Sequence, residues 1–201
     1  MQRIIPFAVL AGLIAAAAVS AQDKEKNPVV IMDTSHGKIV IELFADKAPI
    51  TAKNFLKYAD DKFYDGTIFH RVIADFMIQG GGMEPGLKEK KPRASIKNES
   101  TNGLSNERGT LAMARLGPRE NTPAEIEKAG DSATAQWFIN VKDNARLDRA
   151  RAGDGVGYAV FGRVIDGLDV VDKIRRVETA TRGDHENVPT QDVLIRSVRR
   201  K

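Results

Sequence analysis

Residues Phe69 to Gly81 constrain the fold of this chain more than any other stretch. Phe69-His70-Arg71-Val72-Ile73 and Phe76-Met77-Ile78-Gln79 read as two short β-strands joined at Ala74-Asp75. The breakers Gly80-Gly81-Gly82 follow at once. A chain with such a strand pair in its middle is built around a sheet. The pair also carries one arginine and one glutamine among apolar residues. A guanidinium aimed into an apolar surface is costly to desolvate unless something nearby uses it, so Arg71 is the first candidate for a chemical task.

The rest of the chain repeats the short-strand pattern. Pro28 to Thr34 and Lys38 to Phe44 are β-rich, with Ser35-His36-Gly37 as a hairpin turn between them. Pro49 opens a helix whose Ala52, Phe55, Leu56 and Ala59 form one apolar face, and Asp65-Gly66 ends the connection that follows. Short β-like pieces recur at Ser95-Ile96-Lys97 and Gly109 to Ala114. Thr122-Pro123-Ala124-Glu125 is a capping box with proline at the first helical position, and Gly130 is placed to end that two-turn helix. Ala135 to Val141, Tyr158 to Val164 and Asp192 to Val198 read as strands. Asp169 to Val177 is a second substantial amphipathic helix, with Val170, Ile174 and Val177 on one face. Many short strands with two substantial helices indicate an all-β barrel or sandwich with helical caps, and pattern alone leaves both open.

The N-terminus has a separate task. Arg3 gives a positive n-region, Ile4 to Val19 is apolar, and Val19-Ser20-Ala21 offers small residues to a signal peptidase. Residues 1–21 are therefore expected to be a signal peptide cleaved after Ala21, 22–27 a polar linker, and 28–201 one domain. The chain is expected in the periplasm, with secretion as the alternative, and without stable membrane association after cleavage. There is no cysteine, which removes thiol catalysis, disulfide exchange and Cys-based zinc sites. The formal charge is +4, and the basic runs Lys88 to Arg93 and Arg196 to Lys201 lack interleaved aromatics, so no nucleic-acid partner is expected. His36, His70 and His185 are scattered without ligand spacing, so neither metal nor cofactor is expected, and His70 reads as a structural strand histidine. No heptads are present, and a monomer is the default.

Four blocks together narrow the choice. Phe69 to Gly82, Gly109 to Arg115, Ala133 to Val141 and Tyr158 to Val164 resemble, in that order, the motifs of cyclophilin-type peptidyl-prolyl cis-trans isomerases. The likeness runs from about Pro28 to Val198. Ile96-Lys97-Asn98-Glu99, Ala112-Met113-Ala114-Arg115 and Phe138-Ile139-Asn140-Val141 are similar to the exported bacterial branch. The resemblance implies a mainly β fold, a closed eight-stranded antiparallel barrel capped by two α-helices, with the site on its outer wall. It implies that Arg71 is catalytic, and that Gln79 orients it and bonds the peptide. Phe76, Met77, Phe138 and Leu147 fall on the walls of a proline pocket. Ala112, Met113 and Ala114 match the edge whose backbone holds the substrate chain. Gln136 matches a second polar contact, and Tyr158 stands where many eukaryotic members have histidine.

Strand parity bears on these assignments. Met77 shares a face with Gln79, Gln136 with Phe138, and Phe69 with Arg71, while Trp137 points the other way and reads as core. Phe76 has the wrong parity for Gln79, so a bend near Ala74-Asp75 has to place it. The implied activity is rotation of X-Pro bonds in proline-containing polypeptides during folding of exported proteins. A proline-peptide binding module or holdase is the competing reading. Two departures stand out. Arg146 occupies the position that often carries tryptophan in cyclosporin-sensitive members, so weak cyclosporin binding is expected. The loop Leu116 to Asp131 is extended relative to compact members.

Overall fold

A computed structural model describes residues 27–201. The expected signal peptide, 1–21, and all but the last residue of the expected linker lie outside the described residues. Val29–Thr34 (β1) and Gly37–Leu43 (β2) form the first hairpin, paired from Val29↔Glu42 to Thr34↔Gly37. Its turn is tightened by the Thr34 hydroxyl, which donates to the Gly37 carbonyl (2.7 Å) and accepts from the His36 N–H (3.1 Å). Gly37 is required there: its φ is +134°, and a Cβ would stand 2.8 Å from a Val170 methyl.

Helix α1 (Pro49–Asp60) buries Thr51, Ala52, Phe55, Leu56, Tyr58 and Ala59. Its first residue is the expected proline, yet Ala48 at the N-cap offers no side-chain acceptor. The cap comes from a distant part of the chain. The Glu99 carboxylate accepts from the N–H groups of Ile50 (3.0 Å) and Thr51 (2.8 Å) and from the Thr51 hydroxyl (2.7 Å). That anion satisfies orphan donors and complements the positive end of the helix dipole.

Short strands then follow: Thr67–Ile68 (β3), Arg71–Ile73 (β4), Met77–Gly80 (β5), Met83–Glu84 (β6), Lys88–Glu89 (β7) and Thr110–Met113 (β8). Helix α2 (Pro123–Gly130) begins at Thr122, whose hydroxyl accepts from the Glu125 N–H. Trp137–Asn140 (β9), Val160–Asp166 (β10), helix α3 (Leu168–Ile174), the hairpin Thr179–Arg182 (β11) and His185–Pro189 (β12), and Leu194–Arg200 (β13) complete the described chain. Nine strands pair antiparallel in the order β3-β13-β1-β2-β10-β8-β9-β5-β4. The outermost strands, β3 and β4, are consecutive in sequence and separated only by Phe69 and His70. A sheet whose two ends are joined by two residues must curl. The fold is thus mainly β, a curled antiparallel sheet with three α-helices. Among the described residues no ladder joins β3 to β4 directly.

The main core fills one face of this sheet. Val30, Met32, Ile39, Ile41, Leu111 and Trp137 meet Phe55 of α1 and Val171 of α3 there. Two local expectations are corrected, and one hairpin is added. Ser95-Ile96-Lys97 forms only a single bridge, Ile96↔Ala133. Helix α3 stops at Ile174, three residues short of Val177, which packs partly buried against the core. The β11–β12 hairpin is absent from the sequence reading because most of its residues are exposed or half-buried and give no apolar alternation.

Candidate functional site

Sheet pairing brings five residues into one row. Arg71 on β4 stands opposite Gln79 on β5, Gln79 opposite Phe138 on β9, Phe138 opposite Ala112 on β8, and Ala112 opposite Val160 on β10. Directly paired residues project from the same face of a sheet, so the row lines one face. Alternation sends Ile78, Trp137, Ile139, Leu111 and Phe161 to the opposite face and into the main core. The row face has its own apolar cluster. Met77, Ala112, Phe138 and Val160 are buried in it, and Phe76, Ala114, Leu147 and Tyr158 pack partly buried around them. Arg71 and Gln79 are its polar end.

Loops place the outer walls of the cluster. Phe76 sits in the turn Ala74 to Phe76, where its N–H donates to the Ile73 carbonyl (3.0 Å). This is the bend that parity required. The Phe76 carbonyl accepts from the Val141 N–H (3.2 Å) and from Asn144 Nδ2 (2.7 Å). Leu147 ends the 3-10 turn Ala145–Leu147, and its carbonyl accepts from the Tyr158 N–H (2.9 Å). The Tyr158 ring meets Phe138 edge-on, with centroids 5.8 Å apart and planes at 73°.

Behind Tyr158 lies a support the sequence reading missed. The Arg115 guanidinium rests 4.4 Å from the Tyr158 ring centre and its side chain is 2% exposed. It donates to the Gly157 carbonyl (2.8 Å) and to Asp154 Oδ2 (2.5 Å). Burial alone would raise the Asp154 pKa. The N–H groups of Val156 and Gly157 and the Arg115 guanidinium outweigh it and hold the carboxyl below its ordinary value. The only sequence signal was the position of Arg115, directly after Ala112-Met113-Ala114.

At the polar end Gln79 Nε2 donates to Gln136 Oε1 (2.9 Å). Gln136 lies close across Gly82, where a Cβ would come within 2.5 Å of its side chain. Gln79 is thus engaged with Gln136, and the structure has no hydrogen bond from Gln79 to Arg71. Arg71 is exposed and, unlike Arg108, Arg115 and Arg199 with their aspartates, has no ion-pair partner among the described residues. Its charge is not consumed by structure. His70 beside it is 6% exposed, and its Nδ1 has no hydrogen-bond partner. Burial, with the nearby His185 adding to it, lowers the His70 pKa to about 4, so the ring is neutral at neutral pH.

The structure does not bring every expected residue to this face. The Met113 side chain is in the main core, and its N–H donates to the Ala159 carbonyl (3.1 Å). Alternation with Ala112 is the reason. Ala114 reaches the cluster, and its N–H is held by the Gln136 carbonyl (3.0 Å). Arg146 lies with its guanidinium 4.7 Å from the Phe76 ring centre, at the rim of the cluster. A cavity of about 800 Å³ opens beyond the 145–147 turn, with Leu104, Asn106, Asp148 and Arg151 in its lining. A smaller one, about 280 Å³, separates the 116–131 loop from Ser95, and Leu116 on that loop is 67% exposed. Chemically, the row face sets an exposed guanidinium at one end of an apolar cluster whose outer walls are only partly buried.

Known proteins match this chain over most of its length. The family model described as cyclophilin type peptidyl-prolyl cis-trans isomerase/CLD matches residues 29–200. The peptidyl-prolyl cis-trans isomerase of Acinetobacter baylyi is 54% identical over 193 residues, covering 96% of this chain and 93% of the relative. The peptidyl-prolyl cis-trans isomerase B of Escherichia coli is 54% identical over 171 residues, covering 85% and 98%. Among solved structures, a cyclophilin type peptidyl-prolyl cis-trans isomerase of Cryptosporidium parvum, crystallised in the presence of the dipeptide Ala-Pro, superposes with a TM-score of 0.66. It is 25% identical, and the match covers 85% of this chain and 96% of that one.

Proposed function

The chain belongs to the cyclophilin-type peptidyl-prolyl cis-trans isomerase family, and from that premise we propose that Arg71 is the electrostatic catalyst and the cluster beside it the proline pocket. The observation that carries this reading is the cross-sheet row from Arg71 through Gln79 to Phe138 and Ala112, with a guanidinium that no carboxylate among the described residues claims. An X-Pro amide rotates over a barrier of about 18–20 kcal/mol. An acceleration of about 10⁵ requires about 7 kcal/mol of selective transition-state stabilisation. No bond is broken, so neither nucleophile nor proton shuttle is needed. In the twisted amide the proline nitrogen regains its lone pair, and a guanidinium N–H aimed at it stabilises the twist more than the planar ground state. Phe76, Met77, Phe138 and Leu147 hold the pyrrolidine ring while the preceding carbonyl swings. Gln79 and Gln136, locked to each other, fix the polar side.

The test is Arg71→Ala in a protease-coupled prolyl peptide assay. We expect kcat/KM to fall by about 10²–10³, as for loss of one preorganised donor, with an unchanged melting temperature because Arg71 is exposed and has no ion-pair partner among the described residues. Retained turnover would remove the electrostatic role. Lost turnover with an intact client phenotype would favour a binding or holdase role instead.

The same reading extends outward. Arg146, lying against Phe76, occupies the rim with a charged group, so cyclosporin is expected to bind weakly while isomerase activity persists. Submicromolar inhibition of the purified protein would contradict that. The substrates are proline-containing segments of exported proteins folding in the periplasm, and the chain acts as a monomer free of the membrane after signal cleavage. A mature chain whose measured mass does not begin at Gln22 would refute the cleavage. The sheet itself is read as a closed barrel of eight strands, β3 and β4 counting as one interrupted strand. In support, the Phe69 N–H bonds the Val193 carbonyl (3.0 Å) and carries the β13 pairing past Ile68. An experimental structure with β3 and β4 splayed apart would refute closure.

A further inference from the structure

Three buried asparagines form a chain of hydrogen bonds beside the row, where Asn140 pairs with Met77. Asn144 Nδ2 donates to Asn140 Oδ1 (2.8 Å), Asn140 Nδ2 donates to Asn106 Oδ1 (3.2 Å), and Asn106 Nδ2 donates to Asp148 Oδ1 (3.0 Å). The carboxamides run head to tail and end on a carboxylate, an arrangement in which each bond polarises the next. All three are almost fully buried, at 3%, 0% and 1% exposure. Side branches leave the chain at each step. Asn144 Nδ2 also donates to the Phe76 carbonyl (2.7 Å), Asn140 Nδ2 to Thr110 Oγ1 (3.0 Å), and the Asn106 backbone N–H to Asp148 Oδ1 (2.7 Å). The Asn144 backbone N–H is held by the Asn106 carbonyl (2.8 Å), and its own carbonyl accepts from the Leu147 N–H (2.8 Å).

These branches sort the walls of the pocket into two kinds. Met77, Phe138, Ala112 and Val160 are fixed by strand pairing. Phe76 and Leu147 come from a turn and a 3-10 turn, outside the nine-stranded sheet. The asparagine chain supplies what the ladder does not. Asn144 holds the Phe76 carbonyl with its side chain and the Leu147 N–H with its backbone, while Asn140 ties that residue to β9 two positions beyond Phe138. Asp148, directly after Leu147, closes the loop back to Asn106.

We propose that the chain Asn144–Asn140–Asn106–Asp148 is a positioning device that sets the distance between Phe76 and Leu147, and so makes the enzyme selective for the five-membered ring of proline. None of the four residues is required to touch substrate. The proposal rests on the proline-pocket reading above.

Asn140→Asp tests it with almost no change of volume. A carboxyl has at most one proton to donate and cannot serve both Asn106 and Thr110, so the chain is weakened at its centre. Turnover is measured on three peptides that differ only in the ring at the proline position: the four-membered azetidine-2-carboxylate, proline, and the six-membered pipecolate. In the wild type proline is expected to be preferred over both. In Asn140→Asp the ratios of kcat/KM for proline over each homologue should fall at least about five-fold. Arg71→Ala should lower all three substrates together and leave the ratios alone. A variant with lowered activity but unchanged ratios overturns the proposal, since general destabilisation would produce that result.

Asn144→Ala is the second variant, because it removes the side-chain hold on the Phe76 carbonyl, leaving only the Val141 N–H, without placing a carboxyl in the interior. The same fall in ratios is expected. Should neither variant fold, the wild-type chain still decides. NMR signals of the Asn140 and Asn144 side-chain amides should shift on binding the prolyl peptide and shift differently with the pipecolate peptide. Identical responses to both overturn the proposal. No turnover of the prolyl peptide by the wild type would remove the isomerase reading, and the proposal with it. Turnover without ring selectivity removes only the proposal.

Discussion

A histidine next to the proposed catalyst shows what burial does to a single residue. His70 is buried with an unsatisfied Nδ1, and its pKa falls to about 4 against an ordinary 6.5. The sign of the pH effect follows from which state takes up the proton. Between pH 6.5 and 4 the unfolded chain protonates this ring while the folded chain keeps it neutral, so acidification over that window favours unfolding. The loss reaches about 3 kcal/mol at and below pH 4. Urea midpoints measured across this range should fall for the wild type and fall less steeply for His70→Gln. Equal slopes would show that other groups control acid stability. The role proposed for Arg71 had a visible sequence signal, an arginine in an apolar strand pair. The environment of His70 had none, because Phe69-His70 lies between two strands and the sequence does not say which side chains close over it.

At the scale of elements, legibility depended on whether a signal was local. The capping box at Thr122 and the proline at the start of α1 are local, and both lie where the sequence placed them. The N-terminal cap of α1 is not local. Glu99 reaches Ile50 and Thr51 from 49 and 48 residues away, so no window of sequence contains both partners. Replacing Glu99 with Gln keeps acceptors but removes the anion, and Glu99→Ala removes both. We expect the alanine variant to lose about 1–2 kcal/mol in chemical denaturation and the glutamine variant less. A neutral alanine variant would mean that water caps the helix equally well. The asparagine chain was illegible for the same reason. Asn140 read as an ordinary strand residue, and its partners lie 34 residues before it and four after. Alternation, by contrast, separated Phe138 from Trp137 and Met77 from Ile78 correctly. It also explains why Met113 turns into the core when its neighbours Ala112 and Ala114 do not.

At the scale of the whole molecule, the succession of short strands and few helices made a mainly β fold legible, and pairing order remained beyond it. Nothing in the sequence says that β13 lies between β1 and β3. That placement has a temporal meaning. β1 is among the first described segments to leave the ribosome and β13 the last, so β1, paired early with β2, waits for its second neighbour until residue 200 has been added. Ile195 and Val198 of that strand are wholly buried, and every nascent chain that ends before β13 lacks them. A chain ended after Asp192 is expected to bind a hydrophobic dye and lose near-ultraviolet dichroism. Cooperative unfolding close to that of the full chain would show that the strand is dispensable. If it is not, the polypeptide cannot complete its sheet during synthesis. If the proposed export holds, the chain would then meet its translocation channel while its sheet is still incomplete.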